Sequence, residues 1–101
     1  MSRQIIWQYG TIGTYGSGDN QLFLPFTAVP LTGGNVLISD PNNHRVIEVD
    51  RDRQIIWQYG TTGASGSGDN KLNNPHTAVP SPGGNVLIAD YFNNRVIEVD
   101  K

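Results

Sequence analysis

Short apolar runs alternate with polar stretches rich in Gly, Asn, Asp and Ser along the whole chain. The runs are IIW within QIIWQY (residues 4–9 and 54–59), AV within TAVP (27–30, 77–80), VLI within NVLI (35–38, 85–88) and RVIEV (45–49, 95–99). None continues with a 3.6-residue period, and their β-branched content predicts strands. Gly33-Gly34 and Gly83-Gly84 are a hairpin signal, because both residues can take positive φ. Asp40-Pro41-Asn42-Asn43 and Asp90-Tyr91-Phe92-Asn93 predict a turn between the second and third strands. A polar turn at 50–52 leads into the fourth strand.

The runs repeat. Shifted by 50 residues, 2–50 align on 52–100 without a gap, with 35 of the 49 pairs identical. A period of this length signals a solenoid or a propeller. Four short antiparallel strands per unit, A to D, match one propeller blade. Blades converge at the axis, and the inner TAVP is slim. They diverge at the rim, and the outer IIWQY carries Trp and Tyr.

The chain begins on a D strand (3–10), continues through one complete blade (about 26–60), and ends on A, B and C of a second (about 76–100). Two blades cannot curve round to meet each other. The spare strand is therefore expected to complete the second blade of a neighbouring copy, a head-to-tail contact that closes into a ring. The seam would involve Ile5, Ile6, Trp7 and Tyr9 on one side and Val96, Ile97 and Val99 on the other. Propellers have four to eight blades. A homotrimer of six is preferred, and a homotetramer of eight is the alternative.

The segments SDPNNHRVIEVD and ADYFNNRVIEVD resemble the NHL-repeat family. The matching residues are Asp40, Asn43, His44, Arg45 and Val46, and Asp90, Asn93, Asn94, Arg95 and Val96. The resemblance covers both units and implies a β-propeller, commonly of six blades. The 50-residue unit is longer than usual for that family, mainly in the D-to-A loop. The run from Gly83 of one unit, read into RQIIWQYG, also looks like blades of arylsulfotransferase-type propellers. Those enzymes use a channel His within a much longer domain of unlike blades, which this chain does not reproduce. The near-identity of the copies, the Met-Ser start and the clean two-unit cut suggest an engineered or excised fragment.

The 14 differences are not scattered. Seven fall in the D-to-A segment and three in the B-to-C turn, both on one face of the disc. Ile12, Tyr15, Phe23, Leu24, Phe26, His76, Tyr91 and Phe92 make up the candidate binding surface there, since variable loops on a constant scaffold carry recognition. The competing reading is that Phe23 and Leu24 fill a gap between unlike blades.

Charge and composition narrow the partners. A formal charge of −2 with dispersed Lys and Arg leaves no basic field for nucleic acid or an anionic membrane. With no Cys, disulfides and thiolate metal sites are excluded. There is no signal-peptide pattern or membrane-length apolar run, so the chain reads as cytoplasmic as written or as an expressed piece of something longer, and its location is not fixed by the sequence. His44 and His76 occupy different positions in the two units and lack ligand or triad partners, so no metal, cofactor or catalysis is expected. GTIGTYGSG lacks the lysine of a phosphate loop. The expected function is a self-assembling scaffold or interaction module whose loop face could take a protein ligand. The alternative is a small-molecule or glycan binder that stacks ligands on its aromatic loops.

Overall fold

The computed structural model describes residues 3–101; Met1 and Ser2 lie outside the described residues. The chain is all-β, with two antiparallel sheets. The first runs β1 (Thr27–Pro30), β2 (Val36–Asp40), β3 (Arg45–Val49), β4 (Ile55–Tyr59), and the second β5 (Pro75–Pro80), β6 (Val86–Asp90), β7 (Arg95–Val99). Sequence neighbours pair throughout. The β1–β2 hairpin turns through Gly33 at φ 96° and Gly34 at φ 97°, a conformation that costs a residue with a Cβ dearly. The β2–β3 connection tightens into one 3-10 turn, Pro41–Asn43, closed by His44 in the left-handed region. The same turn recurs at Tyr91–Asn93.

Alternation along the strands gives each sheet two faces. Leu37 opposes Glu48, and Glu48 opposes Trp57, so these side chains share one face of the first sheet, here its back. The pairing then steps from Trp57 to Ile55, leaving Ile56 as the extra residue of a bulge. The back of the first sheet packs on the front of the second. Leu37, Val46, Trp57, Tyr59 and Val29 meet Ala78, Val86, Ile88, Ile97 and Val99, and Leu72 from the connecting loop fills the wedge. The front of the first sheet has its own cluster of Ile38, Ile47 and Val49, covered by Trp7, Tyr9 and Leu22.

The two sheets are therefore covered unequally. All five residues of β3 are buried, whereas β7, of identical sequence, alternates between half-buried and exposed. Val96 is 66% exposed and Leu87 37%, while their equivalents Val46 and Leu37 are at 0%. Among the described residues nothing covers the back of the second sheet, where Val79 and Val96 are exposed.

Residues 4–9, expected as a strand, form no ladder with the rest of the chain. The reason is the missing partner: β4 exists by pairing with β3, whereas the matching edge, on β7, belongs to the far sheet. The segment is nonetheless placed. Trp7 and Tyr9 rest on the front of the first sheet as Trp57 and Tyr59 rest on the second. Gly10 N donates to Asn20 Oδ1 at 2.8 Å, and Gly60 N to Asn70 Oδ1 at 2.9 Å. Gln8 Nε2 donates to Gly10 O at 2.9 Å, and Gln58 Nε2 to Gly60 O at 2.9 Å. Trp7 Nε1 and Arg53 Nε add bonds to Arg51 O and Gln8 O.

A buried polar clamp ties each sheet to the loop before it. Asp40 Oδ2 accepts from Arg45 Nε and Asn43 Nδ2, both at 2.8 Å, and Asp40 Oδ1 accepts from Phe23 N at 2.7 Å. Asn43 Nδ2 also donates to Gly16 O, and Arg45 Nη2 to Gln21 O. Asp90, Asn93 and Arg95 repeat every one of these contacts. Asp40 thus holds the long loop rather than only its own turn. Replacing one member leaves a buried charge without its partner, so Asp40→Asn is expected to cost about 3–5 kcal/mol of unfolding free energy, measured by urea titration.

Candidate functional site

The loops of 10–26 and 60–76 are built alike. Thr11 bridges Thr14, and Thr61 bridges Ala64, around Gly13 and Gly63 at positive φ. Gly16 N bonds Leu22 O and Gly66 N bonds Leu72 O, which turns each loop back on itself. On this frame the sequence-derived candidates separate into groups. Tyr15 and Phe23 stack with ring centroids 4.4 Å apart. Phe26, His76 and Tyr91 stack in a row at 4.4 and 3.9 Å, and Phe92 tilts against Tyr91 at 5.3 Å. The row crosses from one repeat to the other. Its rings spend much of their faces on one another, and His76 is sandwiched between Phe26 and Tyr91. Ile12 and Leu24 belong to neither stack and line an open groove with Tyr9, Gly13, Leu22 and the stacked Tyr15.

The expected seam residues also divide. Ile5 and Ile6 are strongly exposed. Trp7 and Tyr9 already lie on the first sheet, and burial pushes the Tyr9 phenol pKa up against the opposing pull of Arg45. Ile97 and Val99 face the internal core, and Val96 points away from it. All three share the backbone edge of β7, which pairs only with β6.

Three contacts between the repeats were not anticipated as contacts, although their positions stand among the 14 differences. Asn74 N donates to His44 Nδ1 at 3.1 Å. Asn74 Nδ2 donates to Asn42 Oδ1 at 2.9 Å. Ser39 Oγ donates to His76 O at 2.6 Å. The available signal was covariation: positions 24/74, 42/92 and 44/94 all change between the copies.

At the opposite loop end, Lys101 Nζ pairs with Glu48 and lies 5.6 Å from the Trp57 ring centroid. Arg51, one repeat earlier, lies 4.9 Å from the Trp7 centroid. Burial alone would raise the Glu48 pKa. Hydrogen bonds from Lys101 and Asn35, with the Lys101 charge, outweigh it and hold the carboxyl below the usual range. Glu98 is held low by hydrogen bonds from Asn85 and Ser81. Among the described residues no three His, Asp or Glu side chains gather as a metal site, and no helix is long and apolar enough to cross a membrane.

Both carboxyls ionise more readily folded than unfolded. Their contribution is complete above the ordinary value of 4.5 and is lost as pH falls below it. Glu48→Gln should therefore flatten the acid limb of the stability profile, read by urea unfolding between about pH 6 and 3. A scan against protein-family models and a search of curated proteins both find no match to this chain.

Proposed function

We propose that this chain is the subunit of a homo-oligomeric β-propeller of the NHL type, a self-assembling scaffold in which each sheet is one blade. One observation carries the reading: the chain holds both halves of its own internal sheet-to-sheet contact again at its ends, one bare on the back of the second sheet and one covered on the front of the first sheet only by segment 4–9 and its loop. The front of the first sheet offers Ala28, Val36, Ile38, Leu22, Trp7 and Tyr9. These are the residue types that Ala78, Val86, Ile88, Leu72, Trp57 and Tyr59 present inside the chain. Thr27, Ala28, Val36 and Ile38 floor an apolar groove there, walled by Trp7 and Tyr9. The back of the second sheet offers Val79, Leu87 and Val96, the counterparts of Val29, Leu37 and Val46. Surfaces that fit within one chain fit between two, and a head-to-tail contact of this kind closes into a ring where its rotation per blade divides the circle.

The edge of β7 is then completed by residues 4–9 of the next copy. Copying the β3–β4 register places Val96 opposite Tyr9, Ile97 opposite Gln8, Glu98 opposite Trp7 and Val99 opposite Ile5, with Ile6 in the bulge. Arg51 over Trp7 then meets Glu98 as Lys101 over Trp57 meets Glu48. Three copies make six blades and four make eight. The reading involves no catalysis. A glycan- or protein-binding role for the loop face has the exposure of Phe26 and Tyr91 in its favour.

The expected native mass is three times the 11.0 kDa of the chain. A fourfold mass would change the blade number and keep the ring; a folded, monodisperse monomer would overturn it. Val96→Arg puts a charge in the buried contact and should raise the dissociation concentration about a hundredfold or more while the chain stays folded by circular dichroism.

A further inference from the structure

The differences between the two repeats are concentrated where one sheet's turn meets the next sheet's loop, and inside the chain they touch one another. The turn after β2 lies on the loop before β5. Asn42 accepts from Asn74 Nδ2, His44 Nδ1 accepts from Asn74 N, and Asn43 O accepts from Gly63 N at 3.1 Å. Where this turn meets that loop, the internal seam is polar.

The unpartnered ends carry the same two halves in a different chemistry. On the loop before β1, Leu24 stands in the place of Asn74, beside Gly10, Gly13 and Leu22 in an open groove. A Cβ on Gly13 would meet nothing within 4 Å. On the turn after β6, Phe92 stands in the place of Asn42 and Asn94 in the place of His44. Leu24 is 66% exposed and Phe92 58%. Leu24 also holds φ at 57°, where Asn74 sits at 52°. Asparagine tolerates this left-handed region and leucine is disfavoured there. An exposed leucine in that conformation gains nothing inside its own chain.

We propose that Phe92 of one copy seats in the groove against Leu24 of the next, with Asn94 Oδ1 accepting the Leu24 N–H as His44 Nδ1 accepts that of Asn74. This rests on the ring reading and adds a rule to it: at the turn-to-loop contact the seam within a chain is polar, the seam between chains is apolar, and the two alternate. The rule excludes wrong neighbours. A first sheet behind a first sheet would set Asn42 against Leu24, and a second behind a second would set Phe92 against Asn74. Either mismatch buries an amide without its partner. The apolar residues of the loop face at Leu24 and Phe92 are then specificity residues for a second copy, and not a surface for a foreign ligand.

A double-mutant cycle tests the pairing, with native mass spectrometry of a dilution series as the readout and circular dichroism as the check on folding. Leu24→Asn and Phe92→Asn alone each leave an amide facing an apolar group, and each should raise the dissociation concentration roughly tenfold or more. Together they recreate the polar seam, and the double variant should return to within roughly threefold of the parent chain. An oligomeric parent whose single variants are silent, or whose double variant is the sum of the singles, overturns the Leu24–Phe92 pairing and leaves the ring standing. A monomeric parent overturns both.

Discussion

A sheet with two apolar faces needs a neighbour on each side, and that requirement organises this molecule. The first sheet meets it with the second sheet behind and with Trp7, Tyr9 and Leu22 in front. The second sheet meets it only in front. Burying a Val or Leu side chain is worth about 1.5–3 kcal/mol. The different fates of Val46 and Val96, residues of identical strands, follow from the cover that the back of the first sheet has and the back of the second lacks among the described residues. Because the sequence repeats, the bare back of the second sheet and the front of the first, covered only by segment 4–9 and its loop, are complementary.

Polar groups keep that stacking in register. The Asp40–Asn43–Arg45 clamp and its copy at Asp90, Asn93 and Arg95 spend their hydrogen bonds on the backbone of the loop that enters the sheet. The residues that carry the NHL resemblance therefore act here as ties between strand and loop. They fix the loop that brings Leu22 or Leu72 into its cluster. The Trp-cation pairs at 51 and 101 close the other edge, with Glu48 held ionised by Lys101.

Much of the fold could be read from the residues. β1 matches the expected range, β2 is shifted by one or two residues, and β3, β4 and β7 lie where the apolar runs placed them; β5 begins two residues early at Pro75. The segment 4–9 is the instructive departure. It has the sequence of β4 and the side-chain contacts of β4, but no ladder, because a strand is defined by the backbone beside it. The candidate site was legible as a set of positions and not as a set of contacts. Phe23, Leu24, Phe26, His76, Tyr91 and Phe92 were found by comparing the copies. That Asn74 bonds Asn42 and His44 was not, since residues about 30 apart in sequence meet only once one sheet lies on the other.

By itself the sequence determined the strands, their hairpin order and the repeat, because these follow from local periodicity and turn chemistry. Only the tertiary structure decided which faces remain bare and which differing residues touch. Both depend on the stacking of one sheet on another, and stacking brings together side chains that no local pattern links.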